Sequence, residues 1–353
     1  MTPSASRRPR YRFGEPEVDE AIASLVEKVG SGDNSDLVSE LVVSSLQLAS
    51  DEADRGELKI ANAALREMRR AFRTFAPFAH RRKAAIFGSA RTQPDDPLYA
   101  QARDTAAAFA DRDWMVITGA GPGIMEAGVE GAGVDQSFGV SIRLPFETVT
   151  SQFVAGDPKL LNFRYFFTRK LAFMKEAHGF VLLPGGVGTM DEAFELLTLV
   201  QTGKSQPAPI VMLDVPGGTY WRTWRDFLRT ELEARGYISA HDFRLFTVTD
   251  DVDEAVAEIT GFYTNYHSSR FVDGLLVMRL WHAPPAPRLR ELSERFEDIL
   301  VSGGLEPMDA TPAERDDGDH LDLERVGMRF DRHGWARLRE LIDALNAPSE
   351  GDA

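Results

Sequence analysis

Between residues 83 and 264, short apolar runs alternate with amphipathic segments of helical period. Six runs have the length and composition of buried strands, at residues 84–87, 114–118, 138–142, 180–183, 210–213 and 245–248. The apolar stripes of the predicted helices lie at Tyr99, Ala102, Ala106 and Phe109, at Leu160, Phe163, Phe167, Leu171 and Met174, and at Trp221, Trp224, Leu228 and Leu232. Alternating strands and helices are typical of a parallel sheet covered on both faces. We therefore expect a Rossmann-like, doubly wound α/β domain over residues 81–265.

The flanking segments have different patterns. Residues 1–14 are rich in proline, serine and arginine and predict a disordered tail. Residues 15–80 have apolar positions at helical spacing, and the acidic cluster at 51–54 reads as a connection between two of these helices. Residues 266–353 predict a small α+β appendage of order β-α-β-α, with strands near 274–280 and 321–330.

Composition excludes several classes of protein. The net charge of −15 over 353 residues disfavours a nucleic-acid polymer or an anionic membrane as a partner. The absence of cysteine rules out thiol nucleophiles, iron–sulfur clusters and cysteine-bound zinc, and the seven histidines lack metal-ligand spacing. There is no signal-peptide core and no apolar run of membrane-spanning length. We expect a cytoplasmic protein that uses no metal or cofactor.

Two glycine-rich loops each follow a predicted strand and precede a predicted helix. One reads Pro184-Gly-Gly-Val-Gly-Thr-Met-Asp-Glu192, and the other reads Gly119-Ala-Gly-Pro-Gly-Ile-Met125. At the carboxyl end of a strand, the first amides of a helix point outward with the positive end of its dipole, and glycines let an anion approach them. These loops therefore predict a phosphate site, to which Ser89, after the first strand, can contribute.

Other readings of the same residues remain open. Thr189 and Glu192 have the spacing of a capping box, in which both side chains would cap their own helix instead of facing a ligand. Arg169 lies off the predicted apolar stripe of its helix, where an arginine is usually just solvated. Neither loop is a dinucleotide fingerprint, and the run that ends in Lys204-Ser205 has Thr198 where a P-loop needs glycine.

Taken together, Arg169-Lys170 and the following P-G-G-x-G-T-x-x-E segment resemble the signature of the LONELY GUY (LOG) family, many of whose members were once labelled lysine decarboxylases. The resemblance extends to the Gly119 loop and to Gly88-Ser89, and so covers about residues 83–264. No sequence context identifies a lysine for pyridoxal phosphate, so decarboxylation is not expected.

The resemblance implies a homodimeric phosphoribohydrolase that cleaves the N-glycosidic bond of a nucleoside 5′-monophosphate. It implies that Arg169 and Glu192 are catalytic. The substrate-binding residues that it implies are Ser89, Gly119, Gly121, Gly123, Met125, Lys170, Gly185, Gly186, Gly188 and Thr189. Whether Arg169 contacts the phosphate or the leaving base stays open. The alternative is a carrier of the same fold that binds a nucleotide or cofactor without turnover.

Overall fold

The computed structural model of the protein describes residues 9–30, 32–143 and 157–347. The chain divides into two compact units, Met1–Arg66 and Glu67–Ala353. Residues 1–8 of the predicted tail lie outside the described residues, and residues 9–14 form neither helix nor strand. Among the described helices, none combines the length and the apolar character that crossing a bilayer requires.

The first unit is helical, as its apolar spacing predicts. Its helices are α1 (Pro16–Val29), α2 (Ser35–Ser50) and the first part of α3 (Arg55–Phe75). Ile22 and Val26 on α1 pack against Val43 on α2. Gly30 ends α1 in the left-handed conformation, with φ 73°, which glycine adopts without steric cost. Residues 51–54 form the turn between α2 and α3, so their interpretation as a connection is confirmed.

A seven-stranded sheet forms the centre of the second unit. Its strands are β1 (Lys83–Phe87), β2 (Met115–Thr118), β3 (Ser137–Ile142), β4 (Leu160–Phe163), β5 (Gly179–Leu182), β6 (Ile210–Leu213) and β7 (Thr247–Thr249). All pairings are parallel, in the order β4-β3-β2-β1-β5-β6-β7. On β1, Ala85 and Phe87 face one hydrophobic core while Ala84 and Ile86 face another. Both faces are covered, which confirms the doubly wound α/β fold.

Within the described residues, six helices connect and cover these strands. They are α4 (Pro97–Ala110), α5 (Ile124–Ala132), α6 (Phe166–Glu176), α7 (Val187–Gln201), α8 (Tyr220–Phe227) and α9 (Val252–Gly261). Asp96 caps α4 by accepting a hydrogen bond from the Leu98 amide, and Asp251 caps α9 through the Glu254 amide. The chain of α8 continues as a π-helical turn at Leu228–Glu233.

The prediction of a helix starting at Leu160 is wrong. Leu160–Phe163 is the edge strand β4, paired with β3, and α6 begins only at Phe166. The apolar spacing of a four-residue strand does not differ from that of a helical turn, so periodicity could not separate them. The last strand, β7, begins two residues later than the sequence predicts, since residues 245 and 246 precede it.

A second, antiparallel sheet of order β10-β11-β9-β8 follows in the chain. It consists of β8 (Tyr266–Val272), β9 (Leu275–Leu280), β10 (Leu300–Pro307) and β11 (Glu324–Phe330), with helices α10 (Ala286–Arg295), α11 (Pro312–Asp317) and α12 (Trp335–Asn346). The predicted order β-α-β-α misses three of these elements, the strands β8 and β10 and the short helix α11. Serines interrupt β8, and β10 contains two glycines and is mostly exposed, so neither has the apolar alternation of a strand.

Candidate active site

Three strand ends come together at the middle of the parallel sheet. β1 lies between β2 and β5, so Ser89, the Gly119 loop and the Gly185 loop all leave the same edge. The strand order also reverses here, because the chain proceeds from β1 toward β4 on one side and from β5 toward β7 on the other. Open α/β sheets bind ligands at such a switch point. The fold therefore brings the three predicted loops together.

Hydrogen bonds join these loops to one another. The Ser89 amide donates to the Pro184 carbonyl at 3.2 Å, and the Ile124 amide donates to the Ser89 carbonyl at 3.1 Å. The hydroxyl of Tyr220, at the start of α8, donates to the Gly185 carbonyl at 2.5 Å. The loops thus form a preorganised surface.

Close approaches explain three of the glycines. A Cβ at Gly123 would lie 2.4 Å from the Ser89 carbonyl oxygen, and its φ of +69° also disfavours other residues. A Cβ at Gly185 would lie 2.1 Å from the Thr189 hydroxyl oxygen. A Cβ at Gly119 would lie 2.5 Å from an Arg169 nitrogen, so the guanidinium reaches this loop.

The N-terminus of α7 faces open space. At Gly186 and Gly188 an added Cβ would meet nothing within 4 Å. Gly186 is the N-cap, no side chain caps the helix, and within the described residues the amides of Val187, Gly188 and Thr189 have no acceptor. Three unpaired amides at the positive end of a helix dipole can bind an anion such as phosphate.

The capping-box reading of Thr189 and Glu192 is wrong for this helix. Because Gly186 is the N-cap, Thr189 is the third helical residue and Glu192 the sixth, too far along to reach the first amides. Glu192 instead lies beside Arg169, with 3.6 Å between its Oε1 and the Arg169 Nη1. Its other oxygen, Oε2, is buried and has no hydrogen-bond partner in the described structure.

A hydrogen bond to the parallel sheet fixes the side chain of Arg169. Its Nε donates to the Val140 carbonyl on β3 at 2.9 Å, and its side chain is only 12% exposed. The expectation of a solvated arginine is therefore wrong, and so is the predicted stripe of α6. Phe167 and Leu171 of that stripe are exposed, while the buried face includes Thr168 and Phe173.

Burial changes the acid–base properties of the pair. Burial raises the pKa of Glu192 to about 6, although the positive charges of Arg169 and Lys170 oppose the shift. Burial also lowers the pKa of Arg169, although the negative charge of Glu192 acts to raise it. A carboxyl group with a pKa near neutrality can exchange a proton at physiological pH, which general acid–base catalysis requires.

The remaining predicted residues differ in their contacts with the glycine loops. The Met125 sulfur packs against Gly119, and the Met125 methyl group packs against Gly121. Thr189 is buried behind the Gly185 turn. The Lys170 Nζ forms ion pairs with two carboxylates of α7, Asp191 at 2.8 Å and Glu195.

Sequence reasoning missed two residues that shape this site. Tyr220 holds the Gly185 loop, and Asp214, just after β6, accepts a hydrogen bond from the Tyr220 amide at 2.9 Å. The position of Asp214 at a strand end was a usable signal, whereas nothing in the sequence distinguishes Tyr220. In the described ranges, no cluster of three or more histidine, aspartate or glutamate side chains is arranged to hold a metal ion.

Comparisons with known proteins identify sequences and structures to which this chain is similar. A family model described as "Possible lysine decarboxylase" matches residues 119–259. A pyrimidine/purine nucleotide 5′-monophosphate nucleosidase of Escherichia coli strain K12 is 27% identical over 219 residues, which cover 59% of this chain and 47% of that protein. The chain thus spans about half the length of this relative. Among solved structures, a molybdenum cofactor carrier protein from Chlamydomonas reinhardtii matches with 20% identity and a TM-score of 0.36, over 51% of this chain and 96% of that one.

A shorter relative is matched almost completely. A cytokinin riboside 5′-monophosphate phosphoribohydrolase of Mycobacterium marinum is 30% identical over 177 residues, which cover 49% of this chain and 90% of that protein. One from Arabidopsis thaliana is 30% identical over 91 residues, covering 26% of this chain and 40% of that protein. The extent of the match to the mycobacterial protein and the joint Arg-Lys and glycine-loop signature show that the chain belongs to the LONELY GUY (LOG) family.

Proposed function

We propose that this protein hydrolyses the N-glycosidic bond of nucleoside 5′-monophosphates and releases the free base and ribose 5-phosphate. The observation that carries the proposal is the buried Glu192 carboxylate, which has one unpartnered oxygen beside Arg169 and the open amides of α7. The names of the relatives support the same class of reaction, since they are a nucleotide nucleosidase and phosphoribohydrolases of cytokinin nucleotides.

The 5′-phosphate binds at the start of α7. The amides of Val187, Gly188 and Thr189 donate to phosphate oxygens, and the helix dipole favours the negative charge. Gly186 and Gly188 leave the space that the phosphate occupies. A nucleoside without the phosphate lacks this anchor, so we expect it to be a poor substrate.

The chemical step breaks the bond between C1′ and the base nitrogen. The electron pair of that bond leaves with the base, which takes up a proton, and the oxygen of a water molecule bonds to C1′. Positive charge develops on the ribose as in glycoside hydrolysis, where carboxylates stabilise an oxocarbenium-like transition state. Glu192 stabilises this charge and accepts the proton of the attacking water, for which a pKa of about 6 is suitable.

Arg169 supplies the positive charge of the site. Its Nε is fixed on Val140, so its Nη atoms remain to donate to an anionic group. The departing base and the phosphate are both anionic in the transition state, and a preorganised cation stabilises either one. Substitution of Arg169 distinguishes a contact with the phosphate from a contact with the departing base. Loss of phosphate binding raises KM, whereas loss of leaving-group stabilisation lowers kcat.

We also propose that the protein acts as a homodimer in the cytoplasm. Exposed apolar side chains of α6 and α7 support the dimer: Phe166, Phe167, Leu171, Val187 and Phe194. Apolar patches of this kind on an otherwise charged surface commonly mark protein interfaces. Light scattering after gel filtration tests this proposal, because Phe167→Asp should convert a dimer into monomers.

The test of the activity is a substrate panel. The purified full chain is incubated with AMP, GMP, CMP and UMP and with the matching nucleosides, and free base is measured by chromatography. We expect release from monophosphates and at least 100-fold slower release from nucleosides. Glu192→Gln should lower kcat by about 100-fold or more, the usual range for a general base.

Glu195→Gln is the matched control for Glu192→Gln. Glu195 lies on the same helix but is paired with Lys170, so its loss should leave the rate within a fewfold of wild type. Binding of nucleotides with no turnover across the panel would refute the hydrolase and indicate a carrier. Equal loss of rate in both variants would refute the role of Glu192.

A further inference from the structure

A large cavity lies at the opposite edge of the parallel sheet from the glycine loops. Its volume is about 1010 Å³. Arg82 and His178 line it just before β1 and β5, and the second sheet closes it with residues of β8 and β9, including His267. The carboxyl ends of the same strands carry the candidate active site, so the cavity is a separate place in the fold.

The cavity lining is cationic although the chain is acidic. Among the described residues it contains five lysine or arginine side chains, against the single carboxylate of Glu195. That carboxylate is already paired with Lys170. In a protein with a net charge of −15, those cations of the lining that no carboxylate neutralises favour anions in the cavity.

Among the described residues, two cations of the lining have no carboxylate partner, the guanidinium of Arg82 and the exposed ammonium of Lys204. Three other cations of the lining are paired with carboxylates: Arg81 with Asp113, Lys175 with Glu176, and Arg270 with Asp319. The Arg82 guanidinium forms no hydrogen bond or ion pair with any described residue. It lies 3.7 Å from the centroid of the Tyr263 ring, which fixes its plane.

Two histidines add neutral donors and stacking surface. The His178 Nδ1 accepts a hydrogen bond from the Lys83 amide at 3.2 Å, so its proton is on Nε2, which has no partner in the described ranges. Burial lowers the pKa of His178 to about 3 and that of His267 to about 4, so both rings are neutral at pH 7. The His267 ring lies 4.3 Å from that of His320 and 5.5 Å from that of Trp281.

We propose that this cavity binds an organic anion with a planar ring and one or two negative charges. Arg82 and the His178 Nε2–H hold the anionic group, with Lys204 at the cavity rim adding positive charge. The rings of His267, Trp281 and Trp335 contact the planar part of the ligand. A ligand here also contacts α6 and α7, the helices that carry Arg169 and Glu192.

A fluorescent anion tests the proposal directly. 1-Anilinonaphthalene-8-sulfonate is titrated into the full chain, and N-phenyl-1-naphthylamine, the same ring system without charge, is the matched probe. Arg82→Met keeps an apolar chain over Tyr263 but removes the charge, and should weaken sulfonate binding about tenfold. Lys204→Gln at an exposed position should weaken it about twofold. Arg112→Met is the control, since among the described residues the exposed Arg112 side chain bonds only to the Ala108 carbonyl of the preceding helix α4.

The outcomes separate the cavity from other sites. The neutral probe should bind all variants equally. Glu192→Gln should bind the sulfonate as wild type does, so this test remains valid even if the nucleosidase proposal fails. Displacement of the sulfonate by AMP or by 1-naphthoate supports the site and shows which anionic group it prefers. The proposal is overturned if neither AMP nor 1-naphthoate displaces the sulfonate. It is also overturned if Arg82→Met and Lys204→Gln bind the sulfonate as wild type does while their thermal unfolding is unchanged.

Discussion

Replacing Glu192 by glutamine should stabilise the protein while it removes activity. The carboxylate is buried and its Oε2 has no partner, so the charged form is disfavoured in the folded state. Burial raises the pKa of Glu192 from 4.5 to about 6. Each unit of difference between the folded and unfolded pKa corresponds to about 1.4 kcal/mol, so ionised Glu192 costs about 2 kcal/mol of folding free energy at pH 8.

The sign of this effect depends on pH. Because the folded pKa is the higher one, the penalty is absent well below pH 4.5, develops as the pH rises, and is complete above pH 6. Glutamine has nearly the same shape and no charge. Glu192→Gln should therefore be more stable than wild type by about 2 kcal/mol at pH 8 and by under about 1 kcal/mol at pH 5.

Urea unfolding at pH 5 and pH 8 measures both differences. Glu195→Gln serves as the control, because it also removes a carboxylate from α7 but one that is paired with Lys170. That variant should gain no stability at pH 8. If Glu192→Gln is less stable than wild type at pH 8, or if its advantage does not shrink at pH 5, the carboxylate is not the strained group that the structure indicates.

Three further substitutions test the framework of the site and of the second sheet. Gly123→Ala should destabilise the chain by about 2 kcal/mol or more in thermal unfolding, since φ is +69° and the Cβ would lie 2.4 Å from a carbonyl oxygen. Gly133 also has a positive φ but faces open space, so Gly133→Ala should cost about 1 kcal/mol. Equal losses of stability in the two variants would contradict the steric argument. Tyr220→Phe removes the hydrogen bond to Gly185 and should raise KM for AMP several-fold with a stability loss of about 1 kcal/mol, and an unchanged KM would show that the loop holds its shape alone. Glu314→Gln leaves two buried arginines without their shared carboxylate and should cost about 3 kcal/mol or more at pH 7. The pKa of Glu314 is lowered to about 2, so the wild-type contribution should persist on acidification to about pH 4.5 and disappear toward pH 2.

Local signals predicted the parts of the site that depend on chain order. A strand, a glycine turn and a helix N-terminus follow one another between residues 180 and 192, and this order alone places amides at the carboxyl edge of a parallel sheet. Chain order does not predict the orientation of Arg169. The apolar spacing predicts its helix but places Phe167 and Leu171 on the buried face, and both side chains are exposed. Only packing against β3 and α7 decides which face of α6 is inside.

Local patterns in the chain are enough to predict the doubly wound fold and the two glycine loops, because strand period, helix period and glycine tolerance are properties of neighbouring residues. The tertiary structure alone decided that Glu192 lies 3.6 Å from Arg169 instead of capping its helix, and that Arg82 faces a cavity closed by the second sheet. These arrangements join residues that are far apart in the chain. Burial and charge pairing arise only when separate elements pack, and no local pattern records which elements will meet.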